Sequence, residues 1–229
     1  NTTSGFSIVK YTGTGSNATV GHGLSRAPKM IIFKDTTNGG TNWAIYHKDI
    51  GSGYRLTLNS NAVKQGSDSS YYQSTDPTNS IFYLGSNTRA NASGAVTIAY
   101  CFADTIGYSK VGAYTGNGNA NGPMIYTGFK PSFIMVKKAT GSTDSWFIND
   151  DHRTAQGLDG IGGNPNSYYM RPNEQSAEGT SASLAVDLLS NGFKIRGSDT
   201  AYNHNGSSYI YMSFGQPLVA GSNIPSVAR

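Results

Sequence analysis

Cysteine is almost missing from this chain: Cys101 is the single thiol in 229 residues. One thiol cannot close an intrachain disulfide, so stability has to come from burial, which suits folding in a reducing cytoplasm. Charge is scarce as well, at 13% of residues, and the net charge of +4 is spread without any basic run. An electrostatic footprint for nucleic acid is therefore lacking despite the basic pI. No stretch of 18 apolar residues and no charged-then-apolar leader occurs, so no membrane insertion is expected. The chain begins with Asn1 and is expected to be a processed product or the end of something longer. Helical periodicity is also missing. Only residues 176–189 hold a helix-like pattern, and Leu188-Leu189-Ser190-Asn191-Gly192-Phe193 reads better as a turn into a strand.

What the chain has in abundance is Gly, at 29 residues, and Tyr, at 15, alongside Asn, Ser and Thr. Disorder would need high net charge and few aromatics, so this composition points to turn-rich β structure instead. Short alternating or apolar runs bear that out: residues 5–11, 18–20, 30–33, 43–47, 55–59, 81–84 and 95–103, separated by turn residues such as Asn38-Gly39-Gly40. Met30-Ile31-Ile32-Phe33 is continuous and predicts a strand covered on both faces.

The chain also repeats itself. Tyr11-Thr12-Gly13-Thr14-Gly15 returns as Tyr114-Thr115-Gly116-Asn117-Gly118, 103 residues on, and Pro28, Lys34 and Trp43 return as Pro131, Lys137 and Trp146. Further along, Gly85, Asn91 and Gly94 find partners at Gly197, Asn203 and Gly206, an offset of 112. About eleven residues are inserted in the second copy within residues 151–168. A period this long implies two copies of one unit. The expected fold is all-β: two tandem, internally repeated antiparallel β-sandwich domains, jelly-roll-like, over residues 1–105 and 106–229. In the closing strands Ile98, Tyr100 and Phe102 match Ile210, Met212 and Phe214 and are expected to face inward. On the opposite face Tyr209 and Tyr211 replace Thr97 and Ala99, so the copies should be alike inside and different outside.

Sites stand out less. His22, His47, His152 and His204 are far apart and form no metal-ligand pattern, and Asp150-Asp151-His152 reads first as a polar turn. No metal and no cofactor is expected. No nucleophile elbow, phosphate loop or dinucleotide fingerprint is present, and Gly13-Thr14-Gly15 leads into β structure rather than a helix. Asp150 with Glu174 or Glu178 is the one carboxylate set that could flank a glycosidic bond, and nothing in the pattern calls for it. An enzyme is not expected, and no catalytic residue is assigned. Trp43 and Trp146 read first as packing residues. The alternative is a stacking platform for a sugar ring, with Tyr46 and His47, or Asp150 and Arg153, as polar neighbours, and with Tyr168 and Tyr169 on an adaptable loop surface.

Several runs carry a resemblance over essentially the whole chain: Gly21-His22-Gly23-Leu24 with Ala27-Pro28, Ile98-Ala99-Tyr100-Cys101-Phe102-Ala103, Gly107-Tyr108-Ser109-Lys110, Tyr126-Thr127-Gly128-Phe129 and Ser190-Asn191-Gly192-Phe193-Lys194. Together with the Tyr-Thr-Gly-x-Gly repeat they resemble a two-repeat domain family of virion and tail-fibre-like proteins in tailed phages of marine bacteria, cyanophages included. That resemblance implies a non-enzymatic structural protein on the virion surface, made in the host bacterial cytoplasm. It would be a tail-fibre or capsid-decoration module whose partners are other virion proteins or host-surface carbohydrate, and a homo-oligomer, trimeric on a fibre. The alternatives are a glycan-degrading depolymerase and a purely structural capsid cement protein.

Overall fold

The computed structural model describes residues 1–153 and 164–216, so most of the insertion expected within 151–168 lies outside the described residues. The chain divides between Thr105 and Ile106 into two compact units, each all-β. Unit 1 holds β1 (Phe6–Thr12), β2 (Ala18–Gly21), β3 (Met30–Asp35), β4 (Ala44–His47), β5 (Tyr54–Thr57), β6 (Gln65–Gly66), β7 (Ile81–Leu84) and β8 (Val96–Phe102). A single helical turn, α1 (Thr88–Asn91), precedes β8. Unit 2 holds β9 (Ser109–Thr115), β10 (Met124–Tyr126), β11 (Lys130–Lys138), β12 (Trp146–Asp150), β13 (Tyr168–Tyr169), β14 (Gly179–Thr180), β15 (Val186–Leu189), β16 (Gly192–Ile195) and β17 (Ser208–Gln216), with the turn α2 (Thr200–Asn203) before β17.

All of the pairings are antiparallel, and each unit is a β sandwich. In unit 1 the main sheet runs β1-β8-β3-β4-β5-β6 and is faced by the β2-β7 pair. In unit 2 the main sheet runs β9-β17-β11-β12, faced by β10-β16-β15, with β13-β14 as a separate pair. The first four strands of the main sheets thus follow one order. The nesting of β1 with β8 and β2 with β7 is jelly-roll-like, whereas β4 to β6 continue as a meander in the same sheet.

The Tyr-Thr-Gly-x-Gly stretches owe their residues to one packing arrangement, found in both units. The opening strand ends against the helical turn before the last strand. Tyr11 donates its hydroxyl to the Ala90 carbonyl (2.5 Å), and Tyr114 donates to that of Tyr202 (2.8 Å). Gly13 N donates to Ala95 O and Gly15 N to Asn91 O; Gly116 N and Gly118 N donate to Ser207 O and Asn203 O. A Cβ on Gly13 would sit 2.2 Å from the Ala92 carbonyl oxygen, and one on Gly116 2.4 Å from that of His204, so only glycine fits. A buried asparagine closes each lock. The Asn91 side-chain oxygen accepts from Thr14 N, while its side-chain amide donates to Ser16 O and Gly85 O. Asn203 accepts from Asn117 N and donates to Asn119 O and Gly197 O. Buried polar groups persist only when satisfied, and both asparagines are.

In unit 1 the face expected to point inward does not, whereas in unit 2 Ile210 and Met212 on that face are buried, as are Tyr209 and Tyr211 on the other. In β8 the residues Thr97, Ala99 and Cys101 are fully buried, and Val96, Ile98, Tyr100 and Phe102 are half-buried. In unit 2 the core contains Tyr209 and Tyr211, packed with Ile134, Val136, Phe147, Phe193 and Tyr202. The copies therefore differ inside, which corrects the pattern-based expectation. Strand alternation marks two faces but not which one is covered, and here both faces of the strand carry apolar residues. Gly107-Tyr108-Ser109 resembles Gly5-Phe6-Ser7 in sequence, but the register matches the two one residue out of step. Phe6 pairs with Phe102 but Ser109 pairs with Phe214, so Ser109 holds the place of Phe6. Met30, Ile31, Ile32 and Phe33 are all buried, as their continuous apolar run predicts.

Candidate binding surfaces

Of the eight residues read as binding candidates, three are closed to any ligand. Trp146 is 1% exposed, Tyr46 1% and His47 0%. Tyr46 faces the core of unit 1, where its ring meets Tyr72 edge-on and its hydroxyl donates to Asp76 (2.9 Å). Burial, aided by the Asp76 charge, pushes its phenol far above the ordinary range. His47 caps the following 3-10 turn, its Nδ1 accepting from Asp49 N (3.2 Å). Trp146 N donates to the Asn173 side-chain oxygen, as Trp43 N does to Asn59. The shared tryptophan is thus a packing residue in unit 2, and the stacking reading is corrected at these three positions.

The other five fall in two places. Trp43 is half-buried on the outer face of the main sheet of unit 1. Its ring lies 6.4 Å from that of Tyr100 at an interplanar angle of 25°, and Lys34 Nζ is 5.4 Å from its centroid. Asp150, Arg153, Tyr168 and Tyr169 are gathered in unit 2 by β12, β13 and β14. Asp150 ends β12, and its Oδ1 accepts from His152 N and Arg153 N, which turns the chain back so that Arg153 Nε meets Asp150 Oδ2 (2.5 Å). Arg153 Nη1 reaches Glu178 Oε2 at 2.6 Å. Glu178 immediately precedes Gly179, which pairs with Tyr169, while Tyr168 pairs with Thr180. No side chain but glycine fits at 179, because a Cβ there would lie 2.5 Å from the Tyr169 ring.

Beside this pair sits a second arginine that the sequence did not single out. Arg171 lies 5.3 Å from the Tyr169 ring centroid and 5.6 Å from that of Phe147, and its Nη1 bonds Glu174 Oε2 (2.9 Å). Glu174 also accepts from the Ser145 hydroxyl. The one available signal was spacing, since Arg171 stands three residues before Glu174. The hydrogen bonds from Ser145 and Arg171 hold the Glu174 carboxyl below its usual range. Glu178 and then Asp150 hold Arg153 still more firmly protonated. The result is two planar guanidinium groups held by carboxylates, one of them seated on the Tyr169 ring. Such a patch can recognise a polar surface, because its donors are oriented before any partner arrives.

Among the described residues no group of three or more His, Cys, Asp or Glu side chains could hold a metal ion. Cys101 is buried, and desolvation pushes its thiol up to about 12, so it is not a thiolate nucleophile. No helix among the described residues is long and apolar enough to cross a membrane.

A two-unit, all-β chain with its polar and aromatic groups set on sheet faces is the class that this geometry defines. Residues 1–217 match the family model of a domain of unknown function, DUF7483, and the chain belongs to that family. No curated protein and no solved structure matches it.

Proposed function

We propose that the chain is a non-enzymatic binding module exposed on the virion of a tailed phage, on a tail fibre or the capsid surface. There it contacts host-surface glycan or a neighbouring virion protein. The observation that carries the binding part is the pair of arginines pre-set by ion pairs, Arg153 with Asp150 and Glu178, and Arg171 with Glu174 against the Tyr169 ring, with Tyr168 in the neighbouring strand. The virion part rests on the sequence resemblance.

The depolymerase alternative draws less support from the same patch. Cleaving a glycosidic bond needs one carboxyl held protonated near neutral pH, and that requires a raised pKa. Glu174 is pushed the other way by Ser145 and Arg171. Between Asp150 and Glu178, where a substrate would have to lie, the Arg153 guanidinium is already bonded to both.

The test is an antibody against this chain, gold-labelled and applied to intact particles, together with reducing-end assays on host capsular glycan. The expected result is label on the particle surface, at the tail tip for adhesion or across the head for decoration, with no sugar released. Label only on disrupted particles would refute the virion assignment, and sugar release lost in Glu174→Gln would refute the non-enzymatic one.

A further inference from the structure

The outer face of the unit 1 main sheet, opposite the core, carries a chemistry of its own. The register places Lys10, Ile98 and Lys34 in one row across β1, β8 and β3, and Ile8, Tyr100, Ile32 and Ile45 in the next row across β1, β8, β3 and β4. Trp43 lies beside Lys34, and Lys64 Nζ sits 4.1 Å from the Tyr54 ring centroid where β5 meets β6. Ile8 is 59% exposed, and Trp43, Tyr54 and Tyr100 are half-buried.

Lys10 and Lys34 therefore stand in one row across the strands, about 10 Å apart at a strand spacing of about 4.8 Å, and Lys64 lies farther along the face beside Tyr54. None of the three belongs to an ion pair among the described residues, whereas Lys29, Arg153, Arg171 and Arg196 each do. The nearest carboxylate in sequence, Asp35, is buried and already accepts from Thr37 N, Asn38 N and the Asn38 amide. Lys34 Nζ donates once, to the Thr41 carbonyl (2.6 Å), and an ammonium has three donors.

We infer that this face binds a linear anionic polysaccharide. Its acidic groups would meet Lys10, Lys34 and Lys64 in turn, and its sugar faces would rest on Trp43, Tyr54 and Tyr100. Charge complementarity argues for the anion, and the spread of ammonium groups across the face argues for a polymer over a single small ion. Flat aromatic faces between the charges, with no guanidinium among them, favour sugar rings over a nucleic-acid backbone. This rests on the reading of the chain as a surface-binding module and places the glycan on unit 1 rather than on the Arg153 patch.

The experiment uses the full chain in affinity electrophoresis through polygalacturonate, with its methyl ester as a neutral isostere, and through dextran sulfate against dextran. Retardation is expected in the two polyanions and at least tenfold weaker in the neutral partners. Lys34→Gln with Lys64→Gln, and separately Trp43→Ala, should each weaken it at least tenfold, while Arg196→Ala, which removes an ion-paired surface arginine of unit 2, leaves it unchanged. No retardation in either polyanion overturns the inference, as does equal binding of duplex DNA. A dimer that Trp43→Ala abolishes would also overturn it, giving the face to a second copy. If Arg153→Ala abolishes retardation and the lysine variants do not, this inference falls and the binding-module reading stands. Failure of that reading shows separately, as particles that carry no label.

Discussion

The two units place the same residues at their seams and different residues at their centres. At the seam, Gly13, Gly15, Tyr11 and Asn91 make the contacts that Gly116, Gly118, Tyr114 and Asn203 make. At the centre, one ladder position of unit 1 reads Val9–Ala99–Phe33, where unit 2 reads Gly112–Tyr211–Val136. The bulk has moved from the outer strands to the middle one. Gly112 is what admits it, since a Cβ there would lie 2.8 Å from the Tyr211 hydroxyl oxygen. A second exchange pairs Tyr46 and Ala90 in unit 1 with Asn149 and Tyr202 in unit 2, where the Tyr202 hydroxyl donates to Asn149 (2.5 Å). Interiors tolerate large substitutions when total volume is kept, but a backbone lock held by glycine and asparagine has no equivalent alternative. The repeat is visible in the sequence where exchange is impossible and fades where it is allowed.

The outer faces differ too. Lys34 is half-buried beside half-buried Trp43, whereas at the matching position of unit 2 Lys137 and Trp146 are both buried. Desolvation, with added repulsion from Lys138, outweighs the pull of Asp144 and lowers the Lys137 ammonium to about 8.

Among changes of a single methyl group, the largest loss is expected at the seam. Gly13→Ala and Gly116→Ala should each cost about 3 kcal/mol or more, because the backbone carbonyl in the way cannot move aside cheaply. Hydrogen exchange read unit by unit should show the protection falling in the mutated unit; a loss in only one of the two variants would break the equivalence of the locks. Next comes Lys137. Its folded pKa is depressed, so the unfolded chain holds the proton more tightly and stability rises as pH increases from about 8 towards 10.5. A shift of that size corresponds to about 3 kcal/mol. Lys137→Met should be more stable than wild type at pH 7 and lack the rise, as followed by denaturant titration. Buried Tyr72 and Tyr202 and half-buried Tyr114, all raised well above 10 by desolvation, keep their protons when folded, so stability should fall again above pH 10. The smallest effect belongs to the surface of unit 2. Glu174→Gln should cost about 1 kcal/mol, since its arginine partner is partly solvated. A loss several times larger would mean that the Arg171 stack holds the unit together rather than presenting a surface.

Legibility in the sequence followed the same division. The all-β class and the strand at Met30–Asp35 were readable because turn residues and alternation are local signals. Which face of β8 packs on the core was not readable, since Ile98, Tyr100 and Phe102 look more core-like than Thr97, Ala99 and Cys101, and β17 is covered on both faces. For the sites, the convergence of Asp150, Arg153, Tyr168 and Tyr169 depends on the β13-β14 pairing across residues far apart in the chain. The burial of Tyr46, His47 and Trp146 and the aromatic seat of Arg171 are tertiary facts that no spacing encodes.

The exchange of interior volume between the units is tested most directly by transplanting one ladder position. Tyr211→Ala alone should cost about 4 kcal/mol, as a large core truncation does. Adding Gly112→Val and Val136→Phe rebuilds the trio of unit 1 in unit 2 and should recover at least about 2 kcal/mol of that loss, read as non-additivity in denaturant unfolding. If the three changes add, or the triple variant is worse than Tyr211→Ala, the two cores are not alternative fillings of one scaffold.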